Sequence, residues 1–409
     1  MKRCFFWWGF CLFLFIGCAE PPQKEPEAES RFTAPFERLA PEEVPSFSDD
    51  LDPASLRVAV ERSLEFYRKV PSDRTYPLGD LTIRTDTLRA TLLEFLALLD
   101  SGRLNRDSII ESFEVFKASH GARESSPLVT GYYEPVLDGR LEAGKEFCYP
   151  VYGLPPDLLT IDLSLFDPAR FSGQRLVGRL SENRVVPYYD RSEIDGLKKL
   201  ARHKGELVWL RDPVDVFFLH VQGSGKIRLP GGKFRQLGYA GTNGRPYRSI
   251  GKALIDRGAL AQEEVTLQTI RSCLKANPEI RDEILQQNES YVFFRWVQEG
   301  PLGSLSVVLT PGRSVATDPA YHPRGALAFL VSEEPRLGPG GEVLGWEPLH
   351  RWVLNQDAGG AIKGVGRVDL FCGSGETAEQ VAGRLKHPGT LYFILKKQKE
   401  SPKALNKAE

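Results

Sequence analysis

An excess of positive charge is missing from this chain of 409 residues, in which 53 Lys and Arg stand against 54 Asp and Glu for a formal net charge of −1. A protein built to hold nucleic acid carries a positive field over a broad face, so nucleic acid is not an expected partner. Beyond the apolar start of the sequence no uninterrupted apolar run approaches the ~20 residues that cross a bilayer, and the body carries no expected span. Cysteine is scarce, six in all, with no Cys-x-x-Cys pair, and the six histidines show no His-Glu-x-x-His or other ligand spacing. No zinc or other metal site is therefore expected, and a disulfide framework does not suit a chain this long. Repeats of fixed period are absent as well. What is present is ordinary globular material, 41% hydrophobic and 26% charged, long enough for two or three domains.

The ends of the chain differ from its body. Met1-Lys2-Arg3 is followed by an apolar stretch that stops at Gly17, the pattern of an export signal over residues 1–17. Gly17 sits just before Cys18, as at the cleavage site of bacterial lipoproteins, so Cys18 is the expected lipidation site. Ala19 rather than Asp in the next position favours the outer membrane, with the body facing the periplasm. Residues 20–35 hold four prolines and no apolar periodicity, so 18–35 reads as a lipidated tether. Residues 398–409 read as a frayed, lysine-rich tail. Only Cys148, Cys273 and Cys372 then remain in the body, widely spaced.

Asp52-Pro53 signals a helix start, with Leu56, Val60, Leu64 and Tyr67 on one face. A second helix is expected from Asp86, with Leu88, Leu92, Phe95 and Leu99 on its stripe and Gly102 as the stop, and a third from Asp107 carrying Ile109, Phe113 and Phe116. From about residue 127 short β-branched and aromatic runs alternate with Gly, Pro and Asn, in LVTGYYEPVLDG, FCYPVYGLP, VDVFFLHVQGSGKIRL and FRQLGYAGTNGRPY. Helices over 248–257 and near 261–275 interrupt this, and strands are expected again at SYVFFRWV, SLSVVLT, ALAFLV and HRWVLNQDAGG. The fold class read from this order is mainly β with α, an α+β arrangement.

The richest segment runs from Gln356-Asp357-Ala358-Gly359-Gly360 through Lys363 to Val368-Asp369-Leu370-Phe371. Its glycines require a tight turn or a close approach of backbone. Strand alternation in VDLF sends Val368 and Leu370 to one face and Asp369 and Phe371 to the other. A carboxyl group partly desolvated there keeps its proton and is suited to general acid work; the plain alternative is a strand-end Asp satisfying a turn. Thr130-Gly131-Tyr132-Tyr133-Glu134-Pro135 offers aromatics for stacking on a sugar ring, or for ordinary packing. His220-Val221-Gln222-Gly223-Ser224-Gly225-Lys226 lacks the first Gly and the final Ser/Thr of a phosphate loop, and leaves Gln222 and Ser224 as hydrogen-bonding groups suited to polyhydroxyl ligands. Tyr239 stands in a further aromatic, glycine-rich turn.

Taken in order, Gly-Tyr-Tyr-x-Pro, Val-Gln-Gly-Ser-Gly, Tyr-Ala-Gly-x-Asn-Gly, Tyr-Val-Phe-Phe and Asp-x-Gly-Gly-Ala-Ile-Lys-Gly with a later Asp resemble the membrane-bound lytic murein transglycosylase A family over about residues 125–397. The resemblance implies a discontinuous catalytic domain of N-terminal helices and a double-psi β-barrel over 36–134 plus 289–397. It also implies a smaller inserted β-domain over 135–288, with a groove between the two. It implies Asp369 as the single catalytic acid/base and Asp357 as its support, with Thr130, Gly131, Tyr132, Gln222, Ser224, Tyr239 and Lys363 lining the groove. Ala358 departs from the family's usual Thr or Val. The implied reaction is cleavage of the β-1,4 bond between N-acetylmuramic acid and N-acetylglucosamine with formation of 1,6-anhydro ends, and it calls for no metal or organic cofactor. The implied partners are peptidoglycan glycan strands, the membrane through Cys18, and cell-wall synthesis proteins, with the chain itself monomeric. Two alternatives stay open, a two-carboxylate peptidoglycan hydrolase and a non-catalytic glycan-binding lipoprotein.

Overall fold

The computed structural model of the chain describes residues 35–118, 127–171 and 173–398, so the signal, Cys18, most of the tether and the far C-terminal tail lie outside the described residues. The first helix, Pro53–Arg68, starts as its sequence requires: the Asp52 carboxylate accepts from the Ser55 N–H at 2.8 Å, and Pro53 fills the first turn. Thr85–Asp100 follows, ended by Gly102 at φ +66°. The stripes of both helices meet one large core, in which Phe95 packs edge-on against Trp352 with ring centroids 4.8 Å apart.

That core covers a nine-stranded sheet drawn from both halves of the chain. Its order is Phe36–Arg38, Phe113–Ala118, Thr390–Lys396, Leu327–Leu337, Val343–Asp357, Ser314–Ala316, Arg367–Ser374, Leu128–Glu134 and Lys386–Pro388. The ladder has two free ends, so the architecture is a mixed α/β one in which the sheet does not close on itself among the described residues. Two pairs are parallel, Ser314–Ala316 with Val343–Asp357 and Arg367–Ser374 with Leu128–Glu134.

A separate four-stranded sheet takes the order Val292–Val297, Phe234–Thr242, Gly225–Arg228, Val136–Asp138. Val292–Val297 lies beyond the boundary expected at 288, yet all its ladder partners are in Phe234–Thr242. Three local expectations fail. VDVFFLHVQ is a helix, Pro213–Gln222, capped by Asp212 and stopped by Gly223 at φ +76°. It is buried on nearly every side, so it shows no stripe to separate it from a core strand. The helix from Asp107 ends at Ser112, and Phe113–Ala118 turns to strand, paired with Thr390–Lys396 on one side and with Phe36–Arg38 on the other. SLSVVLT forms no strand; Val308 makes a lone bridge to Leu302, in a segment bounded by Pro301 and Pro311 with Ser306 at φ +60°. Two α-helices among the described residues went unsignalled, Pro278–Gln286 and Glu376–Ala382.

The segment before the first helix is latched to the sheet by charge. Arg313, fully buried, donates to both Asp49 oxygens at 2.6 and 2.9 Å, to the Trp352 and Asp52 carbonyls and to the Ser55 hydroxyl. Arg351 likewise bonds Asp50 at 2.8 and 2.9 Å. Breaking a buried pair from one side strands the other charge. Arg313→Ala is therefore expected to cost about 3–5 kcal/mol, measured by urea unfolding, whereas loss of the exposed Lys252–Asp256 pair should cost little.

Candidate active site

Asp369 lies in Arg367–Ser374, between two strands, opposite Thr130 on one side and Ala316 on the other. Val368 and Leu370 point into the main core, as the alternation requires, and Asp369 faces the opposite way with Phe371, whose ring lies 5.3 Å from that of Tyr132. Asp357 ends Val343–Asp357 and is also a register partner of Ala316, so the two carboxylates stand two strands apart, about 9.6 Å between backbones. The small Ala316 side chain leaves the space between them open. Both acids line a cavity of about 980 Å³ with Tyr132, Gln222, Ser224 and Tyr239.

The two carboxylates are treated differently. Asp369 accepts one side-chain hydrogen bond, from the Thr130 hydroxyl at 2.8 Å, and Arg367 reaches that same hydroxyl at 3.4 Å. Burial pushes Asp369 up to about 6, opposed by Thr130 and Arg367 and reinforced by the charge of Asp357. Asp357 accepts three bonds, from the Tyr132 hydroxyl at 3.0 Å and from the Ser304 and Ala358 N–H groups at 2.8 Å each. Burial raises it too, but those three donors work against the rise. Tyr132 keeps its proton, because burial and the neighbouring Asp357 lift it well above the usual phenol value. One acid is thus poised to titrate near neutrality, and the other is surrounded by donors to its anion.

The remaining expected residues divide. Gln222 uses its side-chain oxygen to accept from the Tyr133 N–H at 2.9 Å, which leaves its amide donors as its remaining polar groups at the cavity. Ser224 is buried at the wall, and Tyr239 is half exposed at it. Thr130 reaches the site only through Asp369. Gly131 does not line the cavity: a Cβ there would stand 2.8 Å from Ala382 Cα and 2.9 Å from Cys372 Sγ, so the position admits only glycine against the helix Glu376–Ala382. Lys363 is exposed in the glycine loop and is not among the lining residues, whereas Gly359, Gly360 and Ile362 of that loop are. The loop turns at Gly364, φ +85°, whose N–H donates to Asp318 at 2.8 Å. Asp318 and Ser304 were not among the expected site residues: Ser304 opened the stretch SLSVVLT, read as a strand, and it acts through its backbone N–H. Cys148, Cys273 and Cys372 are unpaired thiols. Among the described residues no group of three or more His, Cys, Asp or Glu is placed to hold a metal ion.

Comparison with known proteins bears on this geometry. Residues 128–295 match the family model of the MltA specific insert domain, and residues 313–395 match that of the 3D domain. The chain is 32% identical over 277 residues to membrane-bound lytic murein transglycosylase A of Vibrio cholerae, covering 67% of each protein. It belongs to the membrane-bound lytic murein transglycosylase A family. The Escherichia coli K12 member is 34% identical over 268 residues, 65% of this chain, and the match spans 64% of that relative's length. A crystal structure of a membrane-bound lytic murein transglycosylase from Agrobacterium tumefaciens aligns at a TM-score of 0.73 and 30% identity, covering 88% of this chain and 97% of that one.

Thr130 supplies the first test of the electrostatics. A hydroxyl donor stabilises the Asp369 anion, so Thr130→Val should move the Asp369 midpoint upward from about 6, as read by carboxyl carbon NMR titration. A second test follows from linkage. Asp369 is lifted from 3.8 to about 6 in the fold, so its contribution to stability is complete below 3.8 and is lost as pH rises through 6. Asp369→Asn should therefore be more stable than the natural chain at pH 7, on the order of 1–3 kcal/mol, with the gap closing at pH 4 in parallel thermal melts.

Proposed function

We propose that this chain is a lytic transglycosylase that cleaves the β-1,4 bond between N-acetylmuramic acid and N-acetylglucosamine in peptidoglycan without adding water. The observation that carries the reading is Asp369 itself, a cavity-facing carboxyl group lifted to about 6, beside a second carboxylate held by three donors. Asp369 gives its proton to the departing glycosidic oxygen, which takes the electron pair of the breaking C1–O bond. The positive charge left on the sugar develops beside the Asp357 carboxyl group, whose three donors oppose the effect of its burial. The Asp369 carboxylate then removes the proton of the muramoyl 6-hydroxyl, and that oxygen bonds to C1 to close the 1,6-anhydro ring. Asp369 ends protonated, as it began, and the sugar's own hydroxyl has replaced water.

In this reading Tyr132, Gln222, Ser224 and Tyr239 contact the glycan strand. Thr130 tunes Asp369, Gly131 permits close packing behind the strand, and Lys363 acts from outside the cavity or not at all. The nine-stranded sheet is taken as a double-psi β-barrel left open at its edges, a reading supported by its two parallel pairs drawn from distant parts of the chain. The four-stranded sheet, running to Val297, belongs to the inserted domain, and the cavity is the groove between them. Cys18 carries the lipid that holds the protein at the outer membrane, facing the periplasm, where glycan strands and cell-wall synthesis proteins are its partners.

Purified sacculi incubated with the protein provide the test. The expected products carry 1,6-anhydromuramoyl ends, one water lighter by mass spectrometry than those of hydrolysis. Asp369→Asn should lower the rate 10²-fold or more, the scale of a lost general acid/base, while glycan binding persists. Asp357→Asn should lower it less. A two-carboxylate hydrolase, which the second cavity-facing acid would suit, predicts comparable losses at both positions and reducing muramic acid ends.

A further inference from the structure

A small three-stranded sheet lies outside the lining of the cavity, in the order Arg184–Pro187, Arg175–Ser181, Leu159–Asp162. Its register pairs Leu180 with Val185, Gly178 with Pro187 and Leu159, and Leu176 with Ile161. Directly opposed residues share a face, so Leu159, Ile161, Leu176, Leu180, Val185 and Pro187 line one side of it. The other side is the one that packs: Val177 meets the Tyr188–Tyr189 cluster, and the Arg179 guanidinium lies 4.2 Å over the Tyr189 ring. The apolar side therefore faces outward. Leu159, Leu176, Leu180 and Val185 are between 39% and 63% exposed, and the turn after the first strand of this sheet adds Leu165 at 83% and Phe166 at 76%.

A folded protein gains nothing from an outward apolar face, and such patches mark places where another phase or molecule is met. We infer that this face is a second membrane contact, in which Leu165, Phe166 and the outward leucines enter the interface of a bilayer. Two features of the chain select a lipid surface. Leu165 and Phe166 protrude from a turn, a shape that enters a soft interface directly and that a folded partner would have to match with a pocket. The tether over residues 20–35 reaches at most ~55 Å when extended, so a lipid on Cys18 keeps the sheet at high effective concentration near the bilayer. A contact too weak to hold the protein alone becomes substantial under that condition. For the nearness of the bilayer the inference rests on the anchor proposed above.

The test uses the full chain in vesicles of phosphatidylethanolamine and phosphatidylglycerol that contain a quencher-bearing lipid. Cys148, Cys273 and Cys372 are replaced by Ser, and an environment-sensitive fluorophore is attached at Phe166→Cys, at Leu180→Cys as a second position, or at Val58→Cys on the first helix as control. Quenching several-fold stronger at 166 and 180 than at 58 is the expected result. Equal quenching at all three positions in an acylated chain overturns the membrane contact and leaves the anchor standing. Intact mass of the same preparation reads acylation separately, so a missing acyl group overturns the anchor reading alone when 166 remains preferentially quenched. Unquenched labels, together with a bis-maleimide cross-link joining two chains of the unlabelled Phe166→Cys variant through position 166, overturn the inference in favour of a second copy.

Discussion

The parallel pairing of Arg367–Ser374 with Leu128–Glu134 is the constraint on which the site depends. It sets Asp369 opposite Thr130, residues 239 positions apart, and the antiparallel pairing with Ser314–Ala316 sets the same aspartate opposite Ala316. Side chains alternate along a strand, so a slip of one residue would send Asp369 into the main core and Val368 and Leu370 into the cavity. The apolar pattern that buries Val368 and Leu370 therefore determines where the acid points. The raised value of Asp369 is then a by-product of fold specificity: the register that satisfies the core leaves a carboxyl group where water is scarce.

The helices serve the site from behind. Gln356, immediately before Asp357, is wholly buried, and its amide donates to the Ala59 carbonyl at 2.7 Å and the Ser63 hydroxyl at 2.9 Å on the first helix. Its oxygen accepts from the Ser314 hydroxyl at 2.6 Å. The end of the strand that carries Asp357 is thus bolted to Pro53–Arg68 on one side and to the strand that carries Ala316 on the other. Asp357 then receives two backbone donors, which cannot rotate away as a side-chain hydroxyl can. This explains why the two carboxylates behave differently while lining one cavity: Asp357 meets rigid donors, and Asp369 meets a single hydroxyl that is shared with Arg367.

Much of this was legible in the sequence where local physics decides the outcome. The Asp52-Pro53 start, the Gly102 stop and the inside-outside alternation of Val368 to Phe371 all follow from rules that act over a few residues. The same Asp-Pro signal stood before Val214, but the run after it is buried on nearly all sides and its β-branched residues imitate a core strand. Phe113 and Phe116 fit a helical stripe as well as a strand, and only their partners in Thr390–Lys396 decide between the two. Lys363 and Gly131 show the limit of motif reading at the site: both stand in the right segment, but one faces solvent and the other faces a helix. Ser304 acts through its backbone N–H, a contribution that no residue type announces.

The outward apolar sheet is joined to the cavity by close contact rather than by a free linker. A Cβ on Gly244, at φ +74°, would lie 2.6 Å from Val177 Cβ, so the turn after Phe234–Thr242 sits directly on the inner face of that sheet. Thr242 and Tyr247, on either side of Gly244, line the cavity. Asn243 ties the same turn to the Tyr189 and Glu289 carbonyls at 2.9 and 2.8 Å and accepts from the Tyr291 N–H at 2.9 Å. With both polar ends of a buried amide satisfied and the glycine in close contact, this turn has little freedom to let sheet and cavity wall move apart. The outward leucines and the cavity wall that carries Tyr239 therefore hold one orientation relative to each other.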